Sequence, residues 1–226
     1  MCACHDHHET ITDEQDRWNH RGRAGVRFAI LSDIHENYHN LYLCIEDMRK
    51  QEIDQVLFLG DFMNAGIARM LATAGFPVFA IYGNNDGDKL AIYRESVKRD
   101  STMQVHPRTY AEFSRDGYRF FLTHHDDLVE TAVSSGRYDA VCFGHTHRRS
   151  VEERNGCIVV NPGELSAHKY GMPTYAILDS MQKNCILVEL EGGVTVRTEA
   201  VALQYHKLGF DEHFGFTKPR EGSTGA

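Results

Sequence analysis

Five places in the chain set carboxylates, imidazoles or an amide directly after an apolar run, and together they have the makings of a metal centre. Asp33 and His35 follow VRFAILS (26–32), Asp61 follows QVLFLG (55–60), and Asn84 opens the run Asn84-Asn85-Asp86 after PVFAIYG (77–83). His124 closes YRFFLTH (118–124), and His145 and His147 follow DAVCFG (139–144). Taken singly, an Asp after a strand is a turn or cap residue, an Asn after a glycine is a turn former, and a His in an apolar segment is a hydrogen-bonded structural group. Their joint occurrence, with two i, i+2 pairs, is hard to reconcile with independent turns. Side chains of extended chain alternate faces, so Asp33 and His35 should point one way, and so should His145 and His147.

Such donors are useful only if the strands bring them together. Residues 26–32, 55–60 and 77–83 read as buried strands, separated by helical patterns over about 38–50 and 65–74, with a weaker helix over 89–99. In the first helix Leu41, Ile45 and Met48 share a face. This alternation is the signature of βαβ units and a parallel sheet, whose carboxyl strand ends form a ligand crevice. The second half reads as strands at 103–106, 108–114, 118–124 and 139–144, with one helix at about 128–135. Strands alone follow, at RSVEER, CIVVN, TYAILDS, CILVELEG and VTVRTEAVAL, with turn signals at Asp116-Gly117, Asn155-Gly156 and Gly192-Gly193. The expected organisation is a polar N-terminal extension (1–24), one α/β domain of two sheets face to face with helices outside (25–203), and a C-terminal tail (204–226).

Composition narrows the function classes. The chain has 226 residues, a formal charge of −8, 14 histidines and 6 cysteines. The charge argues against broad nucleic-acid binding. No apolar run is long enough for a membrane span, and the N-terminus lacks the apolar core of a signal peptide, which points to the cytoplasm. The cysteines form no CxxC pair and read as free thiols. Cys2, Cys4, His5, His7 and His8 form a terminal cluster whose spacing fits no zinc module, so an incidental tail is the plainer reading.

The ordered set Asp33-x-His35, Gly60-Asp61, Gly83-Asn84-x-Asp86, Thr123-His124 and Gly144-His145-Thr146-His147 resembles the calcineurin-like metallophosphoesterase superfamily, and within it the small archaeal and bacterial phosphodiesterase branch. Asn161-Pro162-Gly163-Glu164 and Ser135-Gly136-x-Tyr138-Asp139 fit the same pattern. The resemblance implies a four-layer α/β/β/α sandwich of two mixed sheets, and a dinuclear centre in which Asp33, His35 and His147 hold one ion and Asn84, His124 and His145 the other. Asp61 would bridge both, its two oxygens spanning ions about 3.5–4 Å apart. Mixed N/O ligation suits two divalent ions, with manganese the first expectation and nickel, iron, cobalt or zinc also suited. The implied activity is hydrolysis of a small phosphodiester or nucleotide-like substrate by a metal-bridging hydroxide, with Asp61 and Asn84 in the catalytic set.

Three positions depart from the pattern. Asn85 stands where the wider superfamily has a His facing the leaving group, and an amide cannot deliver a proton. His125 takes a place where relatives often carry Gly and is the candidate substitute donor, although a structural or surface role is the plainer reading. Glu36 stands where Gly is commoner. Arg148 and Asn85 are the candidate substrate contacts; Arg149 reads as a solvated strand edge, and Asn37 and Asn64 resemble family positions that helix capping explains equally well. A binding scaffold of the same fold, as in a retromer relative, is the competing reading, but all seven donor positions retain metal-competent groups. A phosphomonoesterase is disfavoured by Asn85 and by the lack of large inserts. Exposed strand edges late in the chain leave room for a homodimer.

Overall fold

A computed structural model describes residues 25–195. The first half builds β1 (Arg27–Leu31), α1 (Tyr38–Lys50), β2 (Gln55–Phe58), α2 (Ala65–Ala72), β3 (Val78–Ala80), α3 (Lys89–Ser96) and β4 (Met103–Val105). The second half builds β5 (Tyr110–Arg115), β6 (Tyr118–Thr123), a 3₁₀ turn at Asp126–Leu128, α4 (Val129–Ser134), β7 (Ala140–Phe143), β8 (Ser150–Arg154), β9 (Cys157–Asn161), β10 (Thr174–Asp179) and β11 (Asn184–Glu189). These follow the sequence reading closely: α1 has the expected bounds, and β3, α2, α3 and α4 are shorter than expected. The strand expected over 194–203 does not include Val194 or Thr195. Its remainder, the N-terminal extension with its Cys/His cluster, and the tail from 204 lie outside the described residues.

The first sheet has the order β11-β10-β1-β2-β3-β4 and the second β5-β6-β7-β9-β8. β1 to β4 pair in parallel, as do β6, β7 and β9, while β10, β11, β5 and β8 are antiparallel additions. Parallel strands covered on both faces need apolar residues on both, which is why RFAIL shows no alternation. Phe28 and Ile30 of β1 enter the core shared with the second sheet, where they join Phe120, Leu122 and Cys142. Ala29 and Leu31 face the other way, into the core with Leu41, Ile45 and Met48 of α1 and Ile67 and Leu71 of α2. Val129, Ala132 and Val133 of α4 cover Val141 and Val159 on the far side of the second sheet. The result is the expected four-layer α/β/β/α sandwich.

Capping and turn chemistry agree with this arrangement. Asn37 caps α1 by accepting from Asn40 N, and Asn64 caps α2 by accepting from Gly66 N and Ile67 N. Asp116-Gly117 and Asn155-Gly156 take positive φ at both residues, as two-residue hairpin turns require. Cys44, Cys142, Cys157 and Cys185 are free thiols. No helix among the described residues is long and apolar enough to cross a membrane.

The two sheets meet through Phe28 and Phe120, whose rings stand edge to face with centroids 4.7 Å apart. Phe28→Ala should destabilise the fold by about 3–5 kcal/mol, read as a lower denaturant midpoint in equilibrium unfolding. A loss below ~1 kcal/mol would mean that the inter-sheet core does not depend on this contact.

Candidate metal centre

Every candidate donor lies just beyond a strand: Asp33 and His35 after β1, Asp61 after β2, Asn84 after β3, His124 after β6, and His145 and His147 after β7. Because these strands run parallel, their ends open on one side of the sandwich. The backbone there is not extended. Asp33 (φ 53°), His35 (44°), Asp61 (63°), His145 (63°) and His147 (61°) all take the left-handed conformation. The members of each i, i+2 pair therefore converge through left-handed backbone and not, as expected, through the alternation of an extended strand. Left-handed backbone at a residue with a Cβ costs roughly 1–2 kcal/mol, and bonds between neighbouring loops hold it. Asp33 N donates to Gly60 O at 3.1 Å, His35 N to Asp61 O at 3.3 Å, and His145 N to Asp33 Oδ2 at 3.0 Å. The glycine before a donor has a steric cause. A Cβ on Gly83 would lie 2.1 Å from Asp61 Oδ1, and one on Gly144 would lie 2.1 Å from Ser32 Oγ.

The donor atoms fall into two groups joined by Asp61. In the first, His147 Nε2 stands 3.2 Å and His35 Nε2 3.5 Å from Asp33 Oδ1, and the two Nε2 atoms face each other at 3.3 Å. His35 Nε2 is also 3.3 Å from Asp61 Oδ2. In the second, Asp61 Oδ1 is 3.6 Å from His124 Nε2, and Asn84 Oδ1 lies 2.8 Å from both His124 Nε2 and His145 Nδ1. Donor atoms of Asp33, His35 and His147 all lie within 4.8 Å of one another, and so do those of Asp33, Asp61 and His124. Asp33 thus reaches both groups, beyond the share the sequence reading allotted to it.

Outer partners orient these rings. His124 Nδ1 donates to Leu59 O at 2.8 Å, which leaves Nε2 to face the site. His147 Nδ1 donates to Glu164 Oε2 at 2.5 Å in the same manner. Burial would lower the His147 pKa, but Asp33 on one side and Glu164 on the other outweigh it and push it up to about 9. Burial likewise works against the ionised forms of Asp33 and Glu164. The imidazoles of His147 and His35 beside it hold Asp33 well below the usual carboxylate range, and bonds from His147, Ser166 and two backbone N–H groups bring Glu164 down to about 2. Burial lowers the His145 pKa.

Whether these residues suit divalent cations is tested by Asp33 Oδ1, a buried carboxylate oxygen with no hydrogen-bond partner. A buried charge left in this way is costly unless a positive group meets it. The imidazole nitrogens that face it are themselves ligand atoms, held there by bonds through their other ring nitrogen or by the loop backbone. The donor set fits divalent metal ions.

All seven sequence-derived donors come together. His125 is half-buried and packs against the His145 ring, centroids 4.7 Å apart. Asn85 is exposed and bonded to a donor, with Nδ2 donating to Asp61 Oδ2 at 2.7 Å and its backbone N to Asp61 Oδ1 at 2.9 Å. Arg148 is exposed one residue beyond His147, while Arg149 pairs with Glu189 at 2.5 Å, in keeping with a surface role. Two supporting carboxylates had no role assigned from sequence. Glu164 was visible only as part of Asn-Pro-Gly-Glu. Asp86, the last residue of Gly-Asn-Asn-Asp, accepts from the backbone N of Asp61, Met63 and Gly83 at 2.7–3.1 Å and so clamps two donor loops together.

The family model for the calcineurin-like phosphoesterase superfamily domain matches residues 26–183. The chain is similar to phosphodiesterase MJ0936 of Methanocaldococcus jannaschii, 32% identical over 170 residues, covering 74% of this chain and 100% of that one. Phosphodiesterase YfcE of Escherichia coli K12 is 26% identical over 172 residues, covering 69% of this chain and 88% of its own. The solved structure of an archaeal phosphodiesterase superposes with a TM-score of 0.67 at 30% identity, covering 73% of this chain and 99% of the other.

Glu164→Gln keeps the shape but removes the charge that steadies His147 and turns one of the two accepting oxygens into a donor. It should weaken Mn²⁺ binding by about 10–100-fold in equilibrium dialysis while the circular dichroism spectrum is retained. Unchanged affinity would show that His147 needs no orienting partner.

Proposed function

The chain belongs to the calcineurin-like phosphoesterase superfamily and is a metal-dependent phosphoester hydrolase, and from that premise we propose that it hydrolyses small, nucleotide-like phosphodiesters at a centre of two divalent ions. The observation that carries the reading is the division of Asp61: Oδ2 lies 3.3 Å from His35 Nε2 and Oδ1 lies 3.6 Å from His124 Nε2. One carboxylate thereby meets two separate sets of nitrogen and oxygen donors. Manganese is the first choice for such mixed ligation, with nickel, iron, cobalt and zinc also suited.

When bound, a pair of divalent cations supplies positive charge for the phosphate oxygens and a nucleophile at neutral pH. The protein's part is to hold and orient. Asn85 fixes both oxygens of Asp61 through its amide and its backbone N–H. It has no proton to give, so this position offers no acid to a poor leaving group. His125, packed against His145, is the chain's own candidate to hand a proton to the departing alkoxide. Arg148, exposed beside His147, is the candidate contact for a phosphate oxygen. Diesters are favoured over monoesters because the usual acid at position 85 is an amide, and the phosphodiesterase names of the relatives point the same way. The reading takes the compartment to be the reducing cytoplasm, in accord with the free thiols.

The test is a panel of bis(4-nitrophenyl) phosphate and 4-nitrophenyl phosphate with Mn²⁺ or Ni²⁺. The diester should be the better substrate, and Asp61→Ala should lose about 10³-fold or more in kcat/KM, equivalent to about 4 kcal/mol. Preference for the monoester would favour the phosphomonoesterase reading. No hydrolysis of any diester would favour the binding scaffold.

A further inference from the structure

Away from the metal donors the two sheets part along one edge. β4 ends the first sheet and β5 ends the second, and between them lies a cleft of about 290 Å³. Its lining comes from the opposite end of the strands to the one that carries the donors. Gln55 opens β2 and Met103 opens β4, while Arg115 closes β5 opposite Tyr118, the first residue of β6. The length of the strands therefore separates the two places. From Gln55 to Asp61 the chain covers roughly 15–20 Å.

The walls of this cleft are apolar, and two of the polar groups that line it are donors without acceptors. The rings of Phe79 and Phe113, one from each sheet, have centroids 4.8 Å apart, and Met103 adjoins them in the lining. Arg115 Nη1 donates to Gln55 Oε1 at 2.6 Å, the one hydrogen bond that either side chain makes among the described residues. A guanidinium only donates, so this bond turns Oε1 toward Arg115 and leaves Gln55 Nε2 without an acceptor. Gln55 is only 4% exposed, and a donor left unmet in such a place is costly. Among the described residues no carboxylate pairs with Arg115 either. Arg119 on the neighbouring strand, by contrast, pairs with Asp139 at 3.2 Å.

We propose that this cleft is a second ligand site, separate from the metal centre, and that it takes a small organic carboxylate with a flat apolar body. The fork of Arg115 and the amide of Gln55 suit the two oxygens of one carboxylate, and a monoanion matches the single positive charge. The rings of Phe79 and Phe113 suit a planar hydrocarbon body, which packs offset or edge-on against them. The volume lies at the small end of ligand pockets, which run from about 300 to 1,000 Å³, and so admits a body of about one ring. None of this depends on the metal ions or on the phosphodiesterase reading.

The test is calorimetric titration of benzoate, benzyl alcohol and formate into the Mn²⁺-loaded full chain. Benzoate should bind with a roughly millimolar Kd, as befits a ligand of its size. The alcohol lacks the charge and formate lacks the ring, so each should bind about tenfold more weakly or worse. Gln55→Glu gives Arg115 a carboxylate partner of unchanged shape, which keeps the fold while filling the place of the ligand's own charge. It should weaken benzoate binding by about tenfold or more, with the circular dichroism spectrum retained. Asp61→Asn, which alters the metal centre alone, should bind benzoate as wild type does. No benzoate binding at ten times the expected Kd, equal binding of the alcohol or of formate, or unchanged benzoate affinity in Gln55→Glu would overturn the proposal. Loss of benzoate binding in Asp61→Asn would also overturn it, by assigning the ligand to the metal ions.

Discussion

Asp33 is an ionised carboxylate buried among imidazoles, and the open end of the sandwich is arranged around it. Its backbone N donates to Gly60 O in the loop after β2, and its carbonyl accepts from Ser166 N in the loop after β9. Its Oδ2 accepts from Ser32 Oγ at 2.6 Å and from His145 N in the loop after β7. Three loops are therefore registered against one residue while Oδ1 is left without a hydrogen bond. Charge of this kind is retained in a protein interior only where something positive offsets it. The imidazoles of His35 and His147 stand at the distances where a cation would be shared with them.

The cost of this arrangement is spread over the fold. Five donor residues hold left-handed backbone, and three supports oppose their relaxation: the Asp86 clamp between the loops after β2 and β3, the Glu164 brace on His147, and glycines at the points of closest approach. The apolar layers carry the stability that makes such strain tolerable. β1 feeds both cores, with Phe28 and Ile30 on one face and Ala29 and Leu31 on the other, as do β2, β3 and β10. Function is thus confined to strand ends, while the strand bodies serve packing.

Much of this was legible in the sequence because it depends on local pattern. Continuous apolar strands, the α1 stripe of Leu41, Ile45 and Met48, and hairpin signals at Asp116-Gly117 and Asn155-Gly156 each report their own conformation. The donors were legible because their residue types recur after each strand. What was not legible depends on neighbours distant in sequence. Nothing local says that Asp33 and His35 leave the extended conformation, since the bonds that hold them come from Gly60 and Asp61. The use of Asp86 as a triple acceptor and of Glu164 as a brace needs the strand order. The bond from the Asn85 amide to Asp61 is equally invisible locally, because its acceptor lies 24 positions away.

In the proposed centre Asp61 joins two metal positions, and anomalous diffraction from crystals grown with Mn²⁺ reads both. Two peaks should appear in each chain, about 3.5–4 Å apart, one in contact with Asp33, His35 and His147, the other with Asn84, His124 and His145, and Asp61 touching both. A single peak, or two peaks of which only one meets Asp61, would contradict it.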